Sequence, residues 1–221
     1  GSTGQPKGVM HCFENITRAS EGIAADITSR VGKLPENRVM SYLPLAHVFE
    51  RAWVECASMI DGNTRVYFSE SLETFLKDLN RARPTTFISV PRLWLKFQQG
   101  VFVKMPPKKL DRLLKIPFLG KIVGRKVLKG LGLDAALLAG SGSAPIPADL
   151  IAWYRRLGLN LIEGYAMTED FAYSHNSTAE INEPGCVGVP LAGVKVRISD
   201  EGEILIKSPG AMTGYYQRPD L

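Results

Sequence analysis

Short apolar runs alternate along the chain with longer stretches in which apolar residues recur every three or four positions. Ile16, Ala19, Ile23, Ala24 and Ile27 fall on one helical stripe, which predicts a helix ending before Gly32. Leu34-Pro35-Glu36-Asn37 reads as a turn, and Val39–Leu43 as a short buried strand stopped by Pro44. Val48 to Ile60 reads as a helix closed by Asp61-Gly62-Asn63. Arg65–Phe68 is the next strand, Leu72, Phe75, Leu76 and Leu79 mark an amphipathic helix, and Thr85–Val90 is a β-branched strand. Pro91 stands at a first helical position and opens a helix over Arg92–Gln99. Ala135–Ala139 predicts a strand, Pro147–Leu157 a helix and Leu159–Glu163 a strand. Strands alternating with helices predict an α/β fold, a doubly wound, mostly parallel sheet with helices on both faces. Past Glu183-Pro184-Gly185 the pattern changes. Val187–Ile198 and Glu203–Lys207 read as strands with no helix between them, so a small β-rich unit is expected from about residue 180.

The chain has 221 residues, 45% hydrophobic and 22% charged, enough for a sizeable core. No apolar run approaches the roughly 18–20 residues of a membrane span. Cys12, Cys56 and Cys186 are odd in number and far apart, with no CxxC pair, which predicts reduced structural thiols and a cytoplasmic location. The net charge of +5 is unevenly placed. Nine basic residues and one acid, Asp111, lie between Lys104 and Lys129, a local charge of +8. The remainder of the chain is therefore acidic, and a nucleic-acid-binding character of the whole is not indicated. Apolar residues interleave with the lysines of 104–129. Two readings stay open there: a helix lying on anionic lipid, at an inner membrane surface, or a solvated helical excursion.

Four stretches carry candidate chemistry. Gly1-Ser2-Thr3-Gly4-Gln5-Pro6-Lys7-Gly8-Val9 packs glycines, two hydroxyls and a lysine into nine positions. Converging backbone N–H groups, the Ser2 and Thr3 hydroxyls and the Lys7 charge are equipment for holding a polyphosphate. The spacing is that of neither the P-loop nor the dinucleotide motif. A Gly-Ser opening also fits a flexible linker, but a linker would not run on into Thr-Gly-x-Pro-Lys-Gly-Val. Glu163-Gly164-Tyr165-Ala166-Met167-Thr168-Glu169 follows a predicted strand, where ligands of open α/β sheets bind. Tyr165 can stack on a base, Thr168 can donate to a phosphate, and Glu169 is a hard oxygen ligand suited to Mg²⁺. In Ser141-Gly142-Ser143-Ala144-Pro145 small residues let a flat base lie close to the backbone. His47, in Leu43-Pro44-Leu45-Ala46-His47-Val48-Phe49-Glu50-Arg51, sits between a strand and a helix. It suits a polarising contact better than nucleophilic work, because no Ser-His-Asp arrangement is evident.

In order along the chain, these strings resemble the motifs of the adenylate-forming (AMP-binding) enzymes, and Pro-Leu-Ala-His-Val-Phe-Glu-Arg resembles that of the long-chain acyl-CoA synthetases. Gly202-Glu203-Ile204 with Gly214-Tyr215-Tyr216 extends the resemblance into the β-rich unit, as a structural hairpin. Ala166 replaces the usual glycine of the Tyr-Gly-Met-Thr-Glu signature, and Ser143 stands where Ala or Gly is commoner. The resemblance implies an enzyme that converts a fatty acid, ATP and CoA to acyl-CoA through an acyl-adenylate, a ligase forming a carbon–sulfur bond. It places Ser2, Thr3, Gly4 and Lys7 on the β- and γ-phosphates, Thr168 on the α-phosphate, and Glu169 on Mg²⁺. Gly142, Ser143, Ala144 and Tyr165 would hold adenine, Gly164, Ala166 and Met167 would also bind the nucleotide, and His47 would lie beside the acyl carboxylate. Trp53 and Val54 would wall part of the acyl site, and Trp94 is read as core. The implied organisation is the phosphate loop and helix over 1–34, as part of a first α/β subdomain, a main α/β subdomain over 35–179, and part of a small β-barrel-like subdomain over 180–221. Members of this family are more than twice as long. The implied residues upstream of Gly1, a ribose-binding Asp and a C-terminal domain with its catalytic Lys would lie outside the chain, which by itself is expected to be inactive or nearly so. An aryl- or amino-acid-activating relative and a non-catalytic nucleotide-binding module remain as alternatives.

Overall fold

The computed structural model of the protein describes residues 6–178 and 180–220. Three parallel strands lie at its centre: β4 (Thr86–Ser89), β5 (Leu138–Ser141) and β6 (Leu161–Tyr165). Two short antiparallel strands, β7 (His175–Asn176) and β8 (Val189–Pro190), extend that sheet past β6. On the other side β2 (Asn37–Ser41) pairs in parallel with β3 (Thr64–Phe68). The two sheets meet along β2 and β4, where the Thr85 N–H donates to the Arg38 carbonyl at 2.9 Å and the Tyr42 hydroxyl donates to Ser89 Oγ at 2.8 Å.

Alternation along these strands splits the interior into two cores, one on each sheet face. Phe87, Ala139 and Leu161 point to the first, together with Leu79 of α3 (Phe75–Ala82), Trp94 and Phe97 of α4 (Pro91–Lys104), and Tyr154 of α7 (Ala148–Leu157). Leu138 and Ile162 point to the second, against Ala19, Ile23 and Ile27 of α1 (Phe13–Val31). Strands buried on both faces read as continuous apolar runs, which is why the doubly wound arrangement is visible in the sequence. Trp94, read as core, is fully buried and donates its indole N–H to the Gly140 carbonyl.

Three expectations shift. The strand expected over 135–139 begins only at Leu138, because Asp134 turns back to pair with Arg83 at 2.7 Å and the ladder with Thr86 starts four residues after it. The stretch 187–198 is not one strand: the Val194 N–H closes a turn on the Leu191 carbonyl between β8 and β9 (Lys195–Ile198). The helix expected over 48–60 forms, but Glu50–Cys56 winds as a π-helix before α2 (Ala57–Asp61). After 190 the chain makes an antiparallel hairpin, β9 with β10 (Ile204–Lys207), and then β11 (Gly214–Tyr215). The latter pairs with β1 (Val9–Met10), joining the two ends of the chain. The basic stretch forms α5 (Pro107–Leu114) and α6 (Leu119–Gly130).

Candidate functional site

The carboxyl ends of β4, β5 and β6 leave a hollow of about 80 Å³, open to solvent. Its floor is Ile88, Gly140, Ser141 and Gly142, with Ser143 at the rim. Side chains here must be small. A Cβ on Gly140 would stand 3.1 Å from Ile88, and one on Gly164 would stand 2.9 Å from Asn176 Oδ1. Ser143 turns the chain away with a φ of 66°. The Ser141 hydroxyl is buried and has no hydrogen-bond partner among the described residues, a polar group left over at the floor.

Gly164, Tyr165 and Ala166 form one side, and His175 and Asn176 reach in from β7. Burial pushes the Tyr165 phenol up, and the nearby charges of Asp170 and Glu169 add to that. Burial pushes the His175 imidazole down, toward its neutral form.

The opposite side comes from the π-helical turn and the loop before it. His47 Nδ1 accepts the Phe49 N–H at 3.3 Å, which leaves Nε2 as the ring's N–H donor. The loop is anchored by Glu50, whose side chain is fully buried and whose Oε2 accepts the Leu43 N–H at 3.2 Å. Burial raises the Glu50 pKa; the Ser41 hydroxyl, the Leu43 and Tyr42 N–H groups and His47 oppose that rise. The wider π turn carries Phe49 and Trp53 on its inner side, stacked with ring centroids 6.2 Å apart. The Trp53 indole donates to the Ala172 carbonyl at 2.9 Å. π-turns of this kind recur at functional sites.

Behind the first hollow lie two narrower ones. The second, about 10 Å³ and roughly the size of one water, is walled by Phe49, Trp53 and Ile88, which it shares with the first, and by Val39, Val54 and Phe87. The third, also about 10 Å³, shares Val39 and Trp53 with the second and ends near Asp61 and Thr64. Trp53 borders all three.

A second cluster surrounds Glu169. The turn Thr168–Asp170 is tied by Asp170 Oδ1, which accepts the Met167 N–H at 3.1 Å. Asp170 is buried, its pKa is pushed up to about 6 by that burial, and its Oδ2 has no partner among the described residues. Glu169 Oε1 accepts the Tyr215 hydroxyl at 2.7 Å, and the Lys7 ammonium lies 4.6 Å from the Tyr215 ring centroid. His11 Nε2 bonds the Thr168 carbonyl at 2.8 Å, and the Met212 N–H bonds the Glu169 carbonyl at 2.7 Å.

The hollow thus brings together His47, Gly142, Ser143, Gly164, Tyr165 and Ala166. Lys7 and Glu169 meet around Tyr215 instead. Ala144, Met167 and Thr168 do not line the hollow; Ala144 and Thr168 are exposed beside it. Ser2, Thr3 and Gly4 lie outside the described residues. Among the described residues no three His, Cys, Asp or Glu side chains group as a metal cage. A single carboxylate at Glu169 is still a donor set that suits Mg²⁺, which keeps several waters and takes its other ligands from substrate phosphates. Sequence reasoning did not find His175, Asn176 or the link from Tyr215 to Glu169. The two-residue strands that deliver them carry no periodicity.

Residues 1–216 match the model of the AMP-binding enzyme family. Long chain acyl-CoA synthetase 5 of Arabidopsis thaliana is 30% identical over 258 residues, covering 100% of this chain and 38% of the relative. Long-chain-fatty-acid–CoA ligase 1 of Homo sapiens is 27% identical over 248 residues, covering 99% of this chain and 35% of the relative. The chain therefore spans well under half the length of these curated relatives. Among solved structures, o-succinylbenzoate CoA synthetase of Bacillus subtilis with its acyl-adenylate intermediate superposes with a TM-score of 0.71 at 22% identity, over 99% of this chain and 41% of that one. The A domain of carboxylic acid reductase from Segniliparus rugosus, with AMP and a co-purified carboxylic acid, gives 0.70 at 26% identity, over 97% of this chain and 35% of that one. The mixed α/β architecture is that of the N-terminal domains of adenylate-forming enzymes, and the chain belongs to the AMP-binding enzyme family.

Proposed function

We propose that this chain carries the nucleotide and acyl sites of an ATP-dependent ligase that activates long-chain fatty acids, first to acyl-adenylate and then to acyl-CoA. The observation that carries this reading is a pair of adjoining hollows that share Phe49, Trp53 and Ile88, one with a polar rim at His47 and Tyr165 and the other walled by Val39, Val54 and Phe87. A base fits against the small residues Gly142 and Ser143 and against Tyr165, and an alkyl chain needs the dry walls of Phe49, Trp53, Val54 and Phe87. Those walls favour an aliphatic chain over the polar side chain of an amino acid. Curated relatives with acyl-CoA synthetase names support the same class.

In this reading a fatty carboxylate oxygen attacks the α-phosphorus of ATP. The bond from that phosphorus to the bridging oxygen breaks, and pyrophosphate leaves with the electron pair. The thiolate sulfur of CoA then attacks the acyl carbon and displaces AMP. Little covalent work falls to the protein, so its task is positioning and charge neutralisation. His47 Nε2–H is free to donate to a carboxylate oxygen at the rim. Thr168 lies within the turn that would meet the α-phosphate, and Lys7 balances charge at the β- and γ-phosphates with Ser2, Thr3 and Gly4. Glu169 would hold Mg²⁺, which supplies neutralisation of phosphate charge when bound.

Acid-dependent exchange of labelled pyrophosphate into ATP, measured on the full-length protein with a ladder of acids, tests this reading. Exchange that rises with chain length and is absent with amino acids and benzoates is expected. Nucleotide binding without exchange on any acid contradicts it and leaves a non-catalytic binding module.

A further inference from the structure

We infer that the outer face of α5 and α6, with the loop between them, docks on an anionic lipid surface. The inner face of α6 is fixed by close packing. A Cβ on Gly120 would stand 2.4 Å from the Leu114 carbonyl oxygen of α5, and one on Gly124 would stand 2.5 Å from the Leu157 carbonyl oxygen of α7. With that face committed, Lys121, Ile122, Arg125, Lys126 and Lys129 are left on the outside, all exposed. At the tip, Ile116 is 46% exposed, Phe118 83% and Ile122 65%. Phe118 is held there by a φ of 62°, a conformation a bulky side chain rarely adopts.

The charge on this face is unbalanced. Asp111, the single acid among nine cations between 104 and 129, is taken by Arg156 of α7 at 2.9 Å. None of the nine makes an ion pair among the described residues. An exposed aromatic and two isoleucines set into a field of lysines match a headgroup layer of negative charge over hydrocarbon. A polyphosphate chain such as DNA would satisfy the lysines but offer the isoleucines nothing. No helix among the described residues is long and apolar enough to cross a membrane, so the contact is a surface one. The docking does not depend on the proposed reaction.

The test is co-sedimentation of the full-length protein with vesicles of phosphatidylcholine alone and of phosphatidylcholine mixed with phosphatidylglycerol. Binding to the anionic vesicles only, weakened by added salt, is expected. Joint charge reversal, K121E with R125E and K126E, should weaken it on the order of a hundredfold. Phe118→Ser should weaken it several-fold while leaving the salt dependence in place. Both variants should keep wild-type ATP affinity, which reports that they fold. If the reversal variant does not fold, the neutral set K121Q, R125Q and K126Q serves, with a smaller loss of binding expected. Equal binding to neutral vesicles, unchanged binding by the variants, or retention of duplex DNA without any vesicle binding would overturn the inference.

Discussion

Ala166 lines the hollow and Glu169, three residues later, belongs to the neighbouring cluster, yet the two places are built by different means. The hollow is made by the ends of adjacent parallel strands, held in register by backbone hydrogen bonds from Thr86 through Glu163. The Glu169 turn is held by both extremities of the chain. His11 bonds the Thr168 carbonyl, and Met212 and Tyr215 bond Glu169 from the other end. A strand-end hollow keeps its shape through most side-chain changes. A turn stitched by long-range contacts depends on two distant segments meeting, so changes far away in sequence should reach it first.

Substitutions separate the hollow from the Glu169 turn. The largest effect is expected from Glu169→Gln, which removes the carboxylate charge but not the side chain. It should lower acid-dependent pyrophosphate exchange about a hundredfold or more and leave the thermal midpoint almost unchanged. An equal loss of nucleotide affinity without Mg²⁺ would mean that the two places are not separable. Trp53→Ala, in the wall shared by all three hollows, should cost about 3–5 kcal/mol of stability in a denaturant titration. It should also move the preferred acid to a longer chain; an unmoved optimum would take Trp53 out of the acyl wall.

Asp170 gives a pH test of the turn. Its carboxyl is raised by burial from the ordinary 3.8 to about 6 in the folded chain. Between those values the folded state holds a proton that the unfolded state has lost, so its contribution to stability falls as pH rises through about 4 to 6. That fall is worth up to about 3 kcal/mol, and Asp170→Asn should remove it from a pH series of denaturant melts. A series that stays parallel to wild type would contradict the burial argument. Smallest of all, Tyr215→Phe removes one hydrogen bond to Glu169 and should cost about 1 kcal/mol, or roughly fivefold in exchange rate, with adenine affinity unchanged.

The same difference explains what could be read from the sequence. Val39, Phe87 and Leu161 sit in short apolar runs, and the helices between them carry their stripes, so the doubly wound sheet was legible. Boundaries slipped where a hydrogen bond decided them, as at Asp134 and Arg83. His47, Gly142, Ser143, Gly164, Tyr165 and Ala166 were legible as one place because each follows a predicted strand, and strand ends of such sheets converge. His175 and Asn176 were not, since an antiparallel strand of two residues leaves no pattern. The reach of Tyr215 to Glu169 was hidden for a different reason: it needs the pairing of Val9 with Tyr215, which no local signal announces. The π turn at Glu50–Cys56 was equally silent, because its apolar spacing also fits an ordinary helix.

In the proposed function nucleotide and acyl chain share this hollow, the base at the strand ends and the chain past Trp53. A crystal structure of the full-length protein with a non-hydrolysable long-chain acyl-adenylate analogue tests it most directly. Adenine is expected against Gly142, Ser143 and Tyr165, with the alkyl chain running between Phe49, Trp53 and Ile88 toward Val39. Adenine bound elsewhere, or an alkyl chain leaving the hollow toward solvent on the β7 side, would contradict it.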